Sequence, residues 1–167
     1  RDSNGVAEET ALLKAYDSGR HAAWLKGDGA VSLVTDPPGA QVTAYRYDLI
    51  DRRLQPVRIG VLGQTPLRKV ALPMGSYLLV VEAPGRAPMR YPVYIERQRH
   101  WDGGAAPIPL LTPDALGPDE VYVPAGWFWY GGDADAADSA PRQRTWVDGF
   151  IIGRFAVTNA QFRQYLG

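Results

Sequence analysis

Three stretches of the sequence decide the predicted fold: VSLVTDPPGAQV at residues 31–42, GQTPL at residues 63–67 and LPMGSYLLVVEAPG at residues 72–85. The pairs Pro38-Gly39 and Pro84-Gly85 place proline and then glycine at the two central positions of a turn, which is typical of type II. In residues 72–75 the glycine takes the fourth position instead, as type I turns favour. Turns at this spacing indicate a series of short strands.

Between the turns, apolar and polar side chains alternate as they do in strands with one buried face. Val31 and Leu33 share one face of the first strand. In a later strand one face carries Met89, Tyr91, Val93 and Ile95, and the opposite face carries Arg90, Tyr94 and Glu96. Residues 77–81 are apolar on both faces, which predicts a central strand that is covered on both sides. Pro92 cannot donate a backbone hydrogen bond, so its strand is predicted to lie at a sheet edge. These strands together predict a small antiparallel β-sandwich.

The same residues resemble a known domain. The Pro-Pro-Gly-Ala turn at residues 37–40, the Gly-x-Thr-Pro-Leu segment at 63–67 and the Leu-Pro-x-Gly-Ser-Tyr hairpin at 72–77 are similar to the PEGA domain. Pro38 replaces the glutamate of the family's name, and proline suits that turn position. The resemblance covers about residues 30–110 and implies a small bacterial β-sandwich of the kind that serves as an accessory module of larger proteins.

The composition limits the classes of function. The 167 residues suffice for one ordinary domain or two small ones, and 18 basic residues balance 18 acidic ones. This balance does not favour nucleic acid or an anionic membrane surface as a partner, so we expect protein partners or neighbouring domains. The sequence contains no cysteine, which excludes disulfides, thiolate metal sites and a cysteine nucleophile. We expect no membrane span and no signal peptide, and we expect the chain, which begins at Arg1, to be a piece of a longer protein.

An apolar pattern of helical spacing precedes the strands. Its members are Ala7, Ala11, Leu12, Ala15 and Tyr16, followed by Ala22, Trp24 and Leu25. Gly19 interrupts the pattern, which predicts a helix over residues 6–18 and a second helical turn before Gly27. Either the helix binds a partner, or it is the last helix of a preceding domain and docks on the sandwich. We favour the second interpretation.

Charged residues around a predicted long hairpin at residues 46–62 form the first candidate binding site. The arginines are Arg46, Arg52, Arg53 and Arg58, and guanidinium groups match the geometry of phosphate. However, Asp48 and Asp51 neutralise the cluster, so we favour a solvated charged hairpin. The two histidines, His21 and His100, are far apart in sequence and are interpreted as surface or packing residues.

A second candidate site is the acidic loop that contains Asp133, Asp135 and Asp138. Clustered carboxylates suit Ca²⁺, but the loop lacks the glycine and the distal glutamate of an EF-hand. We therefore favour a solvated loop. A third possibility is carbohydrate or cell-wall binding by Trp101 and exposed tyrosines of the sandwich, although aromatic residues in sandwiches more often belong to the core.

The last third of the chain is predicted to be a separate unit. Residues 102–119 are rich in glycine, proline and aspartate, which is typical of a linker. Two or three strands and a helix follow, and Thr158 with Gln161 forms a capping box at the start of that helix. Trp127, Trp129 and Trp146 need a surface to pack against, so we expect this unit to be incomplete and marginally stable by itself.

This unit resembles the opening of the formylglycine-generating enzyme (sulfatase-modifying factor) family. The resemblance rests on Val-Pro-Ala-Gly at residues 123–126, Val-Asp-Gly-Phe at 147–150 and Val-Thr-Asn at 157–159. The usual Met-Gly is Tyr130-Gly131 here, and the usual Glu-x-Pro is Ser-Ala-Pro at residues 139–141. The resemblance implies a mixed α/β fold of the C-type-lectin-like kind. Active family members use a copper-binding cysteine pair, so the resemblance places no catalytic, cofactor-binding or metal-binding residue on this sequence.

These features predict a mainly β chain with four parts. They are a helical linker at residues 1–28, the PEGA-like sandwich at 29–110, a linker at 111–119 and an incomplete α+β segment at 120–167. This order resembles bacterial multidomain proteins in which a helical segment connects an N-terminal Ser/Thr kinase to the same two modules, which implies a cytoplasmic kinase tail. The sequence contains no kinase motif of its own.

Two functional hypotheses follow. The first is a non-catalytic regulatory or scaffolding segment of a larger bacterial signalling protein, and the second is the front part of an active formylglycine-generating oxidase. We favour the first, because the sequence lacks a nucleophile arrangement, a metal cluster and a phosphate-binding loop.

Overall fold

A computed structural model describes residues 3–167 as a mainly β chain, as predicted. The helices are α1 (Ser3–Tyr16), α2 (Ala22–Lys26) and α3 (Asn159–Tyr165). The strands are β1 (Gly29–Asp36), β2 (Gln41–Ile50), β3 (Arg53–Gln64), β4 (Leu67–Leu72), β5 (Gly75–Glu82), β6 (Met89–Ile95), β7 (His100–Pro109), β8 (Glu120–Val123), β9 (Gly126–Tyr130), β10 (Gln143–Val147) and β11 (Phe150–Gly153).

Strands β1 to β7 form two sheets that share one hydrophobic core. One sheet has the order β3-β2-β5-β6 and the other has the order β4-β1-β7. The core includes Val31 and Leu33 of β1, Val42 and Ala44 of β2, Tyr77, Leu79 and Val81 of β5, the four alternating residues of β6, and Ile108 of β7. Every buried residue of this core lies between positions 31 and 110. Burial of one face from each sheet makes this part a two-layer sandwich.

The predicted places of two strands in the sandwich are confirmed. Strand β5 lies inside the four-stranded sheet, with β2 and β6 on its sides, and β6, which contains Pro92, is an edge strand. The side chains of β6 alternate strictly between buried and exposed. On the second face of β5, Leu78 is also buried, whereas Val80 is half-buried.

One strand pair differs from the predicted antiparallel arrangement. Strand β7 pairs with β1 in parallel, from Ala30 opposite His100 to Asp36 opposite Pro109. Strands β2 to β6 supply the crossover connection that a parallel pair requires. Residues 102–109 are therefore part of a strand. The linker that their composition predicted is wrong for these residues. Their glycines serve a close approach instead, since a Cβ at Gly103 would lie 3.0 Å from the Ser32 carbonyl oxygen.

A buried hydrogen-bond network joins the first two turn motifs. The backbones of Thr65 and residues 39–40 exchange two hydrogen bonds of 2.8 Å. The Ala40 N–H also donates to the Thr65 hydroxyl (3.0 Å), and the hydroxyls of Thr35 and Thr65 are 2.6 Å apart. Thr35 donates to the Pro37 carbonyl (2.8 Å), so its only proton is used and Thr65 is the donor between the two hydroxyls. At the turn itself, Gly39 has a φ of 86°, as predicted for its position.

The N-terminal helices match the predicted ones closely in position. However, the apolar side chains of α1 are not docked on the sandwich as the favoured interpretation expects, because Leu12 and Tyr16 are 59% and 85% exposed. The short helix α2, by contrast, contacts Arg97, which follows β6. The Arg97 guanidinium donates to the Trp24 carbonyl oxygen and lies 4.2 Å from the centre of the Trp24 ring.

The C-terminal strands form two small antiparallel pairs, β8 with β11 and β9 with β10. Helix α3 follows, and its predicted capping box is confirmed. The Gln161 N–H donates to the Thr158 hydroxyl (3.3 Å), and the Thr158 N–H donates to the Gln161 side-chain oxygen (2.8 Å). Among residues 3–167, no helix combines the length and the hydropathy that a membrane span needs.

Candidate functional site

The arginines of the β2–β3 hairpin do not converge on one site. The hairpin turns at Asp51 and Arg52, whose φ angles of 49° and 62° fit a type I′ turn. Arg46 lies opposite Val57, whereas Arg58 lies opposite Tyr45, so the two arginines are on different faces of the hairpin. Arg46 is also 3.8 Å from the Asp48 carboxylate. The structure therefore supports the solvated hairpin rather than a phosphate site.

The acidic loop does not form a cluster of ligands. The Asp135 N–H donates to the Asp133 carboxylate (3.0 Å), which is a local turn contact. Within the part of the chain that the structure describes, no three acidic, histidine or cysteine residues are arranged to hold a metal ion.

The two histidines take part in separate local contacts. The His21 N–H donates to the Asp17 carboxylate (3.0 Å), and the His100 Nε2 atom lies 2.8 Å from the Ser32 hydroxyl. Next to His100, Trp101 is partly buried against the sandwich core. Its burial argues against the use of this side chain as a carbohydrate platform.

An exposed aromatic cluster lies on the β9–β10 hairpin. The rings of Trp127 and Trp146 meet edge to face, with centroids 5.5 Å apart. The guanidinium of Arg142 lies 4.3 Å from the Trp129 ring centre, and that of Arg144 lies 5.0 Å from the Trp127 ring centre. The three tryptophans remain 46–61% exposed. Cation–π contacts at such exposed positions contribute about 0.5–1 kcal/mol each.

The apolar side chains of β11, α3 and the loop between them are also exposed, as expected. The exposed fractions are 43% for Phe150, 50% for Ile152, 69% for Phe155, 54% for Phe162 and 68% for Leu166. None of these side chains belongs to the core of the sandwich.

A groove of about 360 Å³ lies between the sandwich, strand β8 and Arg154, the residue that follows β11. Its walls are mainly apolar and include Met89, Leu111, Leu116, Val121 and Tyr122. Two cationic side chains, Arg90 and Arg154, line it as well. Burial raises the pKa of the Tyr122 phenol.

The arginines of this groove form no ion pair among the described residues. Among residues 3–167, neither Arg90 nor Arg154 forms a salt bridge or a side-chain hydrogen bond. The one carboxylate that lines the groove, Glu120, accepts a hydrogen bond from the Gly117 N–H (2.8 Å). The sequence analysis missed this groove because its walls come from three distant segments that share no motif.

The segment that connects the sandwich to β8 is attached to the sandwich. The Ala87 N–H donates to the Leu111 carbonyl (2.8 Å), and the Arg86 side chain donates to the Leu110 carbonyl (2.9 Å). These two bonds place residues 110–111 beside the loop between β5 and β6. Leu111 and Ala87, which one of these bonds joins, both line the groove.

Comparison with protein families gives one match. The family model of the sulfatase-modifying factor enzyme 1-like domain (FGE-sulfatase) matches residues 109–167. The match begins at the last residue of β7 and leaves the rest of the sandwich outside it. Comparison with curated proteins and with solved structures finds no match for the chain.

The residues present do not fit the copper site of the active members of this family. A thiolate site needs cysteine, and the sequence contains none. The matched segment contributes strands, a capped helix and an exposed aromatic surface. No step of an oxidation can be assigned to its side chains.

Proposed function

We propose that this chain is a non-catalytic regulatory or scaffolding segment of a larger bacterial signalling protein. In this proposal a PEGA-like sandwich holds a formylglycine-generating-enzyme-like domain in position relative to a cytoplasmic Ser/Thr kinase. The observation that carries the proposal is that the sandwich, a body with its own core, is hydrogen-bonded to residues 110–111, where the segment that matches the sulfatase-modifying factor model begins. The partners are then neighbouring domains of the same protein or other proteins.

Two structural features support a positioning role. The sandwich has a closed core of its own, and residues 110–111 are hydrogen-bonded to it. The matched segment is therefore fixed at its start to a stable body. A hydrogen bond between two of the motifs supports the PEGA-like assignment. Thr65 of the Gly-x-Thr-Pro motif accepts a hydrogen bond from Ala40 of the Pro-Pro-Gly-Ala turn.

Assays of the purified chain test the absence of catalysis. The chain is incubated with copper and a peptide that carries a sulfatase motif, and separately with ATP and a general protein substrate. We expect no turnover above that of a boiled control in either assay. Turnover in either one overturns the proposal.

The family match favours a second candidate function, the front part of an active formylglycine-generating oxidase. This alternative requires a copper-binding cysteine pair elsewhere in the longer protein. The sequence that follows residue 167 in the gene decides between the two. A cysteine pair there favours the oxidase, and its absence favours the scaffold.

A further inference from the structure

The groove between the sandwich, strand β8 and Arg154 has the dimensions of a ligand site. Its volume of about 360 Å³ falls within the range of about 300–1,000 Å³ that is common for small-molecule pockets. Such pockets combine apolar walls with a few polar groups that orient the ligand. Here most of the wall residues are apolar, and the charged side chains are those of Arg90, Arg154 and Glu120.

The charges in the groove select the kind of ligand. Arg90 and Arg154 bring two positive charges, and Glu120 brings one negative charge that accepts a backbone hydrogen bond. The groove therefore has a net positive charge and guanidinium donors without an acceptor in the described part of the chain. Guanidinium groups bind carboxylates by charge-assisted hydrogen bonds, which are about twice as strong as neutral ones.

We propose that this groove binds an apolar group that carries a carboxylate. The carboxylate is held by Arg90 and Arg154, and the apolar group packs against Leu111 and Val121, which are half-buried. This inference goes beyond the proposed scaffolding function, because it assigns a ligand class to a specific site. A ligand there touches both the sandwich and the segment that follows it.

The same chemistry is available from a free carboxylic acid and from the C-terminus of a peptide. The probes are therefore 3-phenylpropionate and an acetylated tripeptide, Gly-Gly-Phe, with a free C-terminus, each with its neutral amide analogue. Binding to the full chain is followed by amide chemical shifts in two-dimensional NMR. For ligands of this size we expect a Kd on the order of 1 mM.

The expected result is a saturable shift of the Met89, Leu111 and Val121 amides with at least one carboxylate. Its amide analogue should bind about tenfold more weakly or not at all. If the tripeptide binds more tightly than 3-phenylpropionate, the ligand source is a peptide terminus. If it binds equally or less tightly, the source is a free acid.

Variants locate the site. The double variant Arg90→Gln, Arg154→Gln should lose about tenfold or more in affinity. The matched control is Arg58→Gln, because Arg58, like Arg90, is an exposed arginine of an edge strand with no ion pair among the described residues. This variant should bind the carboxylate probes as the unaltered chain does. The inference is overturned if neither carboxylate shifts the groove amides, or if the amides bind as well. The comparison between acid and amide uses the unaltered protein, so it holds even if the double variant does not fold.

Discussion

The network around Thr65 allows a prediction whose size follows from the structure. Thr65 is 4% exposed, and its hydroxyl accepts from the Ala40 N–H and donates to the Thr35 hydroxyl. Thr65→Val keeps the shape of the side chain and removes both hydrogen bonds. The Ala40 N–H is then buried without this partner, which costs about 1–3 kcal/mol, and the lost hydroxyl pair costs about 0.5–1.5 kcal/mol. The free energy of unfolding should fall by about 2–4 kcal/mol.

Thr65→Ser is the matched control because it keeps the hydroxyl. It loses one methyl group, which is worth about 0.8 kcal/mol. Urea unfolding of the full chain, followed by far-UV circular dichroism, measures both variants, and amide exchange at Ala40 reports the local effect. If the valine variant is as stable as the serine variant, the hydroxyl network does not stabilise the turn and the reasoning fails.

Three further predictions concern the sandwich. Gly29→Ala places a Cβ 2.6 Å from two backbone carbonyl oxygens and should lower the free energy of unfolding by about 1–3 kcal/mol. Gly126→Ala meets open space and should change this free energy by less than about 0.5 kcal/mol. Urea titrations measure both variants. Leu79→Ala in the core should lower the free energy of unfolding by about 2–5 kcal/mol. Leu54→Ala changes a side chain that is 69% exposed and should lower it by less than about 0.5 kcal/mol. Equal losses would mean that the core is misassigned. Burial raises the pKa of Tyr91 above the ordinary 10.0, so the unfolded chain ionises first and the free energy of unfolding should fall as the pH rises above 10. Tyr91→Phe should make that fall with pH shallower. An unchanged slope would show that Tyr91 does not cause the pH dependence.

Local patterns in the sequence were sufficient for much of the sandwich. The alternation in β6 predicted its buried face because neighbouring side chains of a strand point to opposite sides. Pro92 predicted an edge strand because a missing N–H is tolerated there. The capping box of Thr158 and Gln161 was also predicted, since both partners lie within one helical turn. In each of these cases the decisive residues are close in sequence.

Contacts between distant segments could not be predicted. The glycine-rich composition of residues 102–109 suggests a linker, but the parallel partner β1 makes them a strand. Arg90 and Arg154 line the same groove, and no spacing in the sequence indicates this. The exposed surface of α1 was also missed, because a helical pattern indicates an apolar face but not what packs against it.

The central claim is that the sandwich is a self-contained unit and that residues 120–167 depend on another surface. Amide hydrogen exchange of the full chain, resolved by residue, tests it most directly. The account predicts that core amides of β1, β2, β5 and β6 exchange only by global unfolding. The amides of β8 to β11 and α3 should exchange at least about tenfold faster through local opening. Equal protection of both parts would contradict the claim, because it would show that they unfold as one domain.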